Sequence, residues 1–161
     1  MKKSANSNMY EASLVETQHR FSTRLSGAAE CTFLVVSSTP LAEQAQSALE
    51  NSARALGYGT AACTFLVVGS TIEHDGKAAP LTGAEAFAAI EGLDPLALVV
   101  ADSAAAAVCS QAYRCTIPLM DKSRLLGRDA VAFEGFATML DSPQEKQRAW
   151  GLLKRLPRLG S

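Results

Sequence analysis

The sequence predicts an α/β protein, a three-layer α/β/α sandwich built on a four-stranded parallel sheet. Three observations lead there. Short unbroken apolar runs, TFLVVS from Thr32, CTFLVV at 63–68, LALVVA at 96–101 and AVAF at 130–133, have the form of strands buried on both faces. Helical patterns lie between them, and strand alternating with helix is the mark of a parallel sheet covered on both sides. The chain has 161 residues, 48% of them hydrophobic, enough for one core without disulfide staples.

Residues 1–29 are polar and serine-rich, with a helical pattern in Tyr10, Leu14, Val15 and Phe21; they read as a disordered start followed by a docked helix. Residues 30–161 read as a single domain. The first strand opens near Cys31. Thr39 is placed to cap the following helix, and Pro40 fits its first position because it lacks an N–H that would be unpaired there. Leu41, Ala45, Ala48, Leu49, Ala53 and Leu56 recur at helical spacing, and Gly57 supplies a left-handed stop. CTFLVV at 63–68 completes a βαβ unit. The same six letters begin at Cys31, and nothing else repeats at that period, so the duplication reads as two adjacent parallel strands.

Residues 69–81 read as a polar loop. Thr82 and Glu85 have the spacing of a capping box, opening a short helix that stops near Gly92. After the third strand, Asp102 or Ser103 caps SAAAAVCSQAY. CTIPLMDKSRLLGRD connects to the fourth strand, and Ser142, Pro143 and Glu145 open a last helix bearing Trp150, Leu152, Leu153 and Leu156.

Net charge is −1, so nothing global points to nucleic acid. The distribution is uneven: residues 31–113 carry eight acids and two bases, and residues 114–161 nine bases and five acids. Within that basic third, Lys122, Arg124, Arg128 and Lys146 are the candidate nucleic-acid contacts, against the plainer reading of a solvated helical surface. No apolar run reaches the roughly 20 residues a membrane span needs, and no signal-peptide core is visible, so no membrane partner and a cytoplasmic location are expected. Cys31, Cys63, Cys109 and Cys115 form no CxxC pair and read as reduced structural thiols. Glu73-His74-Asp75 reads as a solvated loop and His19 as a helix-surface residue. Neither GxGxxG nor GxxxxGK[ST] occurs. No metal and no cofactor is implied.

Several stretches carry a family likeness. "LDPLALVVADSAAAAVCSQAY" followed by "LLGRDAVAFEGFATMLDSPQEKQRAW" resembles the uracil-DNA glycosylase superfamily, above all its iron–sulfur-containing branch. Pro143, Lys146 and Trp150 match that branch's Pro-x-x-Lys-x-x-x-Trp ending, and Ala105 and Ala106 its small-residue helix start. "PLAEQAQSALENSARALGYG" is similar to the helix after its first motif. The likeness covers roughly residues 31–157 and implies a glycosylase-like α/β domain. The departures fall where the chemistry lies. Where the family has Gly-Glu/Asp-x-Pro-Gly, this chain reads Ser37-Ser38-Thr39-Pro40, with no acid before Glu43. The family's HPS motif falls on Gly135-Phe136-Ala137, so glycine replaces the histidine. The base-reading asparagine falls near Leu66 or Val67, the base-stacking loop is missing between Ser38 and Leu41, and the cysteines do not match the cluster spacing. Base excision needs a flipped base read by hydrogen bonds and a donor for the departing charge. None of these residues supplies them, and no catalytic residue is nominated.

Open α/β sheets usually bind ligands at the carboxyl ends of their strands. That mouth would gather Ser37, Ser38, Thr39, Gly69, Ser70, Asp102, Ser103 and Gly135, as a ligand pocket or simply as helix caps. The leading expectation is a non-catalytic binding or interaction module with weak nucleic-acid affinity. The alternatives are an enzyme of another class with a small-molecule site at the mouth, a residual DNA glycosylase, and a homodimerising structural protein.

Overall fold

The computed structural model describes residues 7–73 and 76–160. Residues 1–6, within the stretch expected to begin disordered, His74-Asp75 of the expected solvated loop, and Ser161 lie outside them. The elements run α1 (Ser7–Arg20), a single 3-10 turn (Ser22–Arg24), β1 (Leu25–Gly27), β2 (Phe33–Ser37), α2 (Glu43–Ala55), β3 (Cys63–Val67), β4 (Thr71–Glu73) and β5 (Gly76–Ala78). They continue with α3 (Gly83–Leu93), β6 (Ala97–Val100), α4 (Ser103–Tyr113), β7 (Asp121–Leu125), β8 (Arg128–Ala132), α5 (Phe136–Met139) and α6 (Pro143–Leu153).

The class is α/β, and the sheet is six-stranded and mixed, in the order β1-β3-β2-β6-β8-β7. This corrects the expected four-stranded parallel sheet. β3, β2, β6 and β8 pair in parallel, while β1 runs antiparallel to β3 and β7 antiparallel to β8. The two added strands carry little hydrophobic signal. No residue of β1 is buried, and β7 buries only Leu125. The loop expected at 69–81 also contains structure, the antiparallel hairpin of β4 and β5.

Alternation across the sheet explains the unbroken apolar runs. Phe33 and Val35 of β2 join Val99 and Val131 in a cluster with Leu49 of α2, Phe136 of α5 and Leu153 of α6. Leu34 and Val36 face the other way, joining Leu98 and Val100 beneath Ile90 of α3 and Cys109 of α4. Helices cover both faces, so neither set of side chains can be polar. The duplicated hexapeptides do lie on neighbouring parallel strands, offset by two residues: Phe33 pairs with Cys63, and Val35 with Phe65. An even offset keeps each side chain on its own face, and both phenylalanines enter the same cluster.

Helix ends follow the expected chemistry with two exceptions. Thr82 and Glu85 form the capping box, Asp102 accepts from the Ala105 N–H, and Ser142 accepts from the Glu145 N–H with Pro143 in the first turn. α2, however, begins at Glu43 after Ala42, which offers no side-chain cap, so Thr39 and Pro40 lie in the preceding loop. α3 continues past Gly92 to Leu93, with Asp94 taking the left-handed position at φ 51°. Gly92 instead admits α1: a Cβ there would lie 2.1 Å from Thr17 Oγ1.

Candidate functional site

The carboxyl ends of β2, β3, β6 and β8 bring the eight mouth residues to one end of the sheet, where their contacts close it. Asp102 is the tie. One carboxylate oxygen accepts from the Ala105 N–H at 2.8 Å, capping α4, and the other accepts from the Ser38 N–H at 2.9 Å, reaching the loop after β2. Both oxygens of the only acid among those eight are thereby engaged by backbone. The Ser37 hydroxyl is buried and donates to the Thr39 carbonyl at 2.7 Å. That bond and the Ser38–Asp102 bond turn the chain across the mouth, which is why α2 cannot begin at Thr39. Gly69 presses on the same loop, since a Cβ there would lie 2.0 Å from the Ser38 carbonyl oxygen.

The loop after β8 completes the closure. Gly135 bridges to Asp102, the Ser103 N–H donates to the Glu134 carbonyl, and the Phe136 N–H donates to the Ala101 carbonyl at 2.8 Å. The Phe136 ring is buried, edge-on to Phe133 with centroids 5.1 Å apart. Thr39, Ser70 and Ser103 are exposed. Caps, bridges and a buried ring therefore account for the mouth, and no nucleophile there is paired with a base.

The cation candidates separate into three kinds. Arg128 is buried, ion-paired to Glu91 and to Asp94 at 3.0 Å, and donates from Nε to the Pro95 carbonyl at 2.9 Å. Its charge is held inside the fold, which corrects its place among nucleic-acid contacts. Lys122 and Arg124 lie on edge strand β7, 3.7 and 3.6 Å from the Asp129 carboxylate. Lys146 is exposed, and no hydrogen bond or ion pair holds its ammonium among the described residues.

Two arrangements escaped sequence reasoning. The first centres on Arg128, where the Tyr113 hydroxyl donates to the same Glu91 carboxylate at 2.5 Å. Burial, then that carboxylate, pushes the Tyr113 phenol well above its ordinary range. An Arg–Glu–Asp–Tyr cluster around one buried guanidinium could not be told from surface charges, because its members lie on α3, α4, β8 and the turn after α3. The second is a cleft of about 210 Å³ between α2 and α6, floored by α5. Its one legible signal was the i, i+4 spacing of Lys146 and Trp150, which places both on one helical face.

Thiol chemistry has no support. Cys31, Cys63 and Cys109 are buried and Cys115 exposed, all of them free. Burial pushes the Cys109 thiol up to about 12 and the Cys63 thiol higher still, so both stay protonated and poor nucleophiles. Among the described residues no His/Cys/Asp/Glu group could hold a metal ion, and no helix is long and apolar enough to cross a membrane. No protein-family model and no curated protein matches the chain. The likeness to uracil-DNA glycosylases therefore rests on the quoted residues alone.

Proposed function

We propose that the chain is a non-catalytic binding module on a uracil-DNA glycosylase-like scaffold. The observation that carries this reading is Asp102, whose two oxygens tie the loop after β2 to the start of α4. A catalytic mouth needs a carboxylate or imidazole free to hold water or to donate to a leaving group. Here the acid is a structural clasp, and the sequence resemblance puts the family's histidine motif at Gly135 and Phe136, a residue that is buried. The same contacts count against a small-molecule enzyme using Ser37, Ser38 and Asp102.

Nucleic-acid affinity is weak in this reading. Of the nine bases at 114–161, five are engaged: Lys122 and Arg124 by Asp129, Arg128 by Glu91 and Asp94, Arg148 by Glu145, and Arg155 by Asp121. Four are without an ion pair among the described residues, Arg114, Lys146, Lys154 and Arg158. Each phosphate contact contributes roughly 0.7 to the salt slope of single-stranded binding, so binding through this basic third should give a slope below about three. Anisotropy titrations of labelled single-stranded DNA across a salt series measure it, alongside incubation with uracil-containing DNA. The reading expects a shallow slope and no abasic sites; uracil release, or a slope of about five or more, overturns it.

A further inference from the structure

We infer that the cleft between α2 and α6 is a binding site for a small aromatic carboxylate. This deepens the binding reading by giving it a place and a ligand class, and asks no chemistry of the site. Phe136, Leu140, Ala149 and Leu153 form the apolar part of the cleft, with Ala48 on the α2 side and the half-buried Trp150 on α6. A volume of about 210 Å³ exceeds the roughly 150 Å³ of an apolar cavity that takes up benzene, so one ring with a short acidic arm fits. The indole supplies a flat face against which such a ring packs.

The sign of the ligand's charge follows from the rest of the lining. Lys146 is its only charged residue, one helical turn from Trp150, and its ammonium is without a partner among the described residues. Gln44 offers a neutral amide, and the Ser52 hydroxyl already donates to the Ala48 carbonyl at 2.8 Å. Among the described residues no carboxylate lines the cleft, so the one charge in its wall favours an anionic ligand over a cationic one. The cleft shares buried Phe136 with the loop that closes the mouth, but ligand binding there uses neither oxygen of Asp102, so the two readings are tested by different measurements.

Trp150 is the only tryptophan in the chain, which makes its emission a reporter for this cleft. The whole protein is titrated with phenylacetate and with its neutral analogue phenylacetamide, read by tryptophan emission and by saturation-transfer NMR. Saturable phenylacetate binding is expected. Lys146→Gln should weaken it about threefold, the size of a solvent-exposed charge contact, and leave phenylacetamide unchanged. Ala48→Phe should abolish binding of both while the far-UV spectrum stays as in the parent; Ser52→Phe, one turn along α2, replaces it if that variant does not fold. The proposal falls if neither readout saturates at concentrations on the order of tens of millimolar, a range that admits very weak affinities. It also falls if K146Q weakens acid and amide alike, or if the filled variants bind as the parent does. Emission that shifts with protein concentration alone assigns the cleft to a second copy of the chain and overturns it as well. Uracil release would overturn the proposed function and leave these results standing.

Discussion

The two helical layers of the sandwich are built differently. On one side, α1, α3 and α4 approach closely through glycine: a Cβ on Gly83 would lie 3.1 Å from a backbone carbon of Gln111, and one on Gly92 would overlap Thr17. On the other, α2 and α6 stand apart over the four-residue α5, and Gly151 of α6 faces open space. Glycine at a crossing brings the helices of one layer into contact, although a cleft of about 480 Å³ still opens beside it between Ala84, Phe87, Gln111 and Leu126. α2 and α6 leave a cleft along their facing sides. The glycine-packed side also holds the Arg128 cluster, so it joins close helix approach to a polar tie around one buried guanidinium.

Three substitutions test that contrast, from the largest effect down. Arg128→Ala should disrupt the glycine-packed layer most severely. It removes the guanidinium that Glu91 and Asp94 share, and breaking a buried pair costs about 3–5 kcal/mol. Because the two carboxylates are 28% and 38% exposed, about 2–3 kcal/mol is the better expectation, read as a lower urea midpoint at unchanged slope. A loss below about 1 kcal/mol would show that the cluster is not a tie. Gly92→Ala comes next. Alanine gains roughly 1 kcal/mol of helix propensity, yet it meets Thr17, whose short side chain cannot swing clear, at a typical overpacking cost of 1–3 kcal/mol. A net destabilisation of about 1 kcal/mol with faster amide exchange in α1 is expected, and a stabilised variant would refute close packing there. Gly151→Ala is the matched control on the open side. With nothing within 4 Å of the new Cβ, it should stabilise by about 0.5–1 kcal/mol, and a loss would mean that α6 is packed on its outer face.

How much was legible follows the same physics. The four parallel strands could be read because burial on both faces forces unbroken apolar runs. Thr82, Asp102 and Ser142 could be read because helix ends need side-chain oxygens. β1 and β7 were hidden because an edge strand with a solvated side has no apolar stripe to show. The turn joining β7 to β8 was disguised as well: Leu126 and Gly127 take φ 49° and 86° where Asn-Gly would signal a hairpin. At the mouth, the sequence brought the right residues together but could not say that Asp102 would be occupied on both oxygens. The role of Arg128 was misread because its partners on α3 and the following turn are distant in sequence. The cleft depends on helix spacing, which no local pattern records.

The sheet's two borders set a rule for self-association. β1 presents only three residues, too short a template for strand addition. β7 presents Lys122 and Arg124 on one face, so two copies approaching there edge to edge would bring like charges together. Both borders of the six-stranded sheet are thus poor templates for open-ended polymerisation by strand pairing.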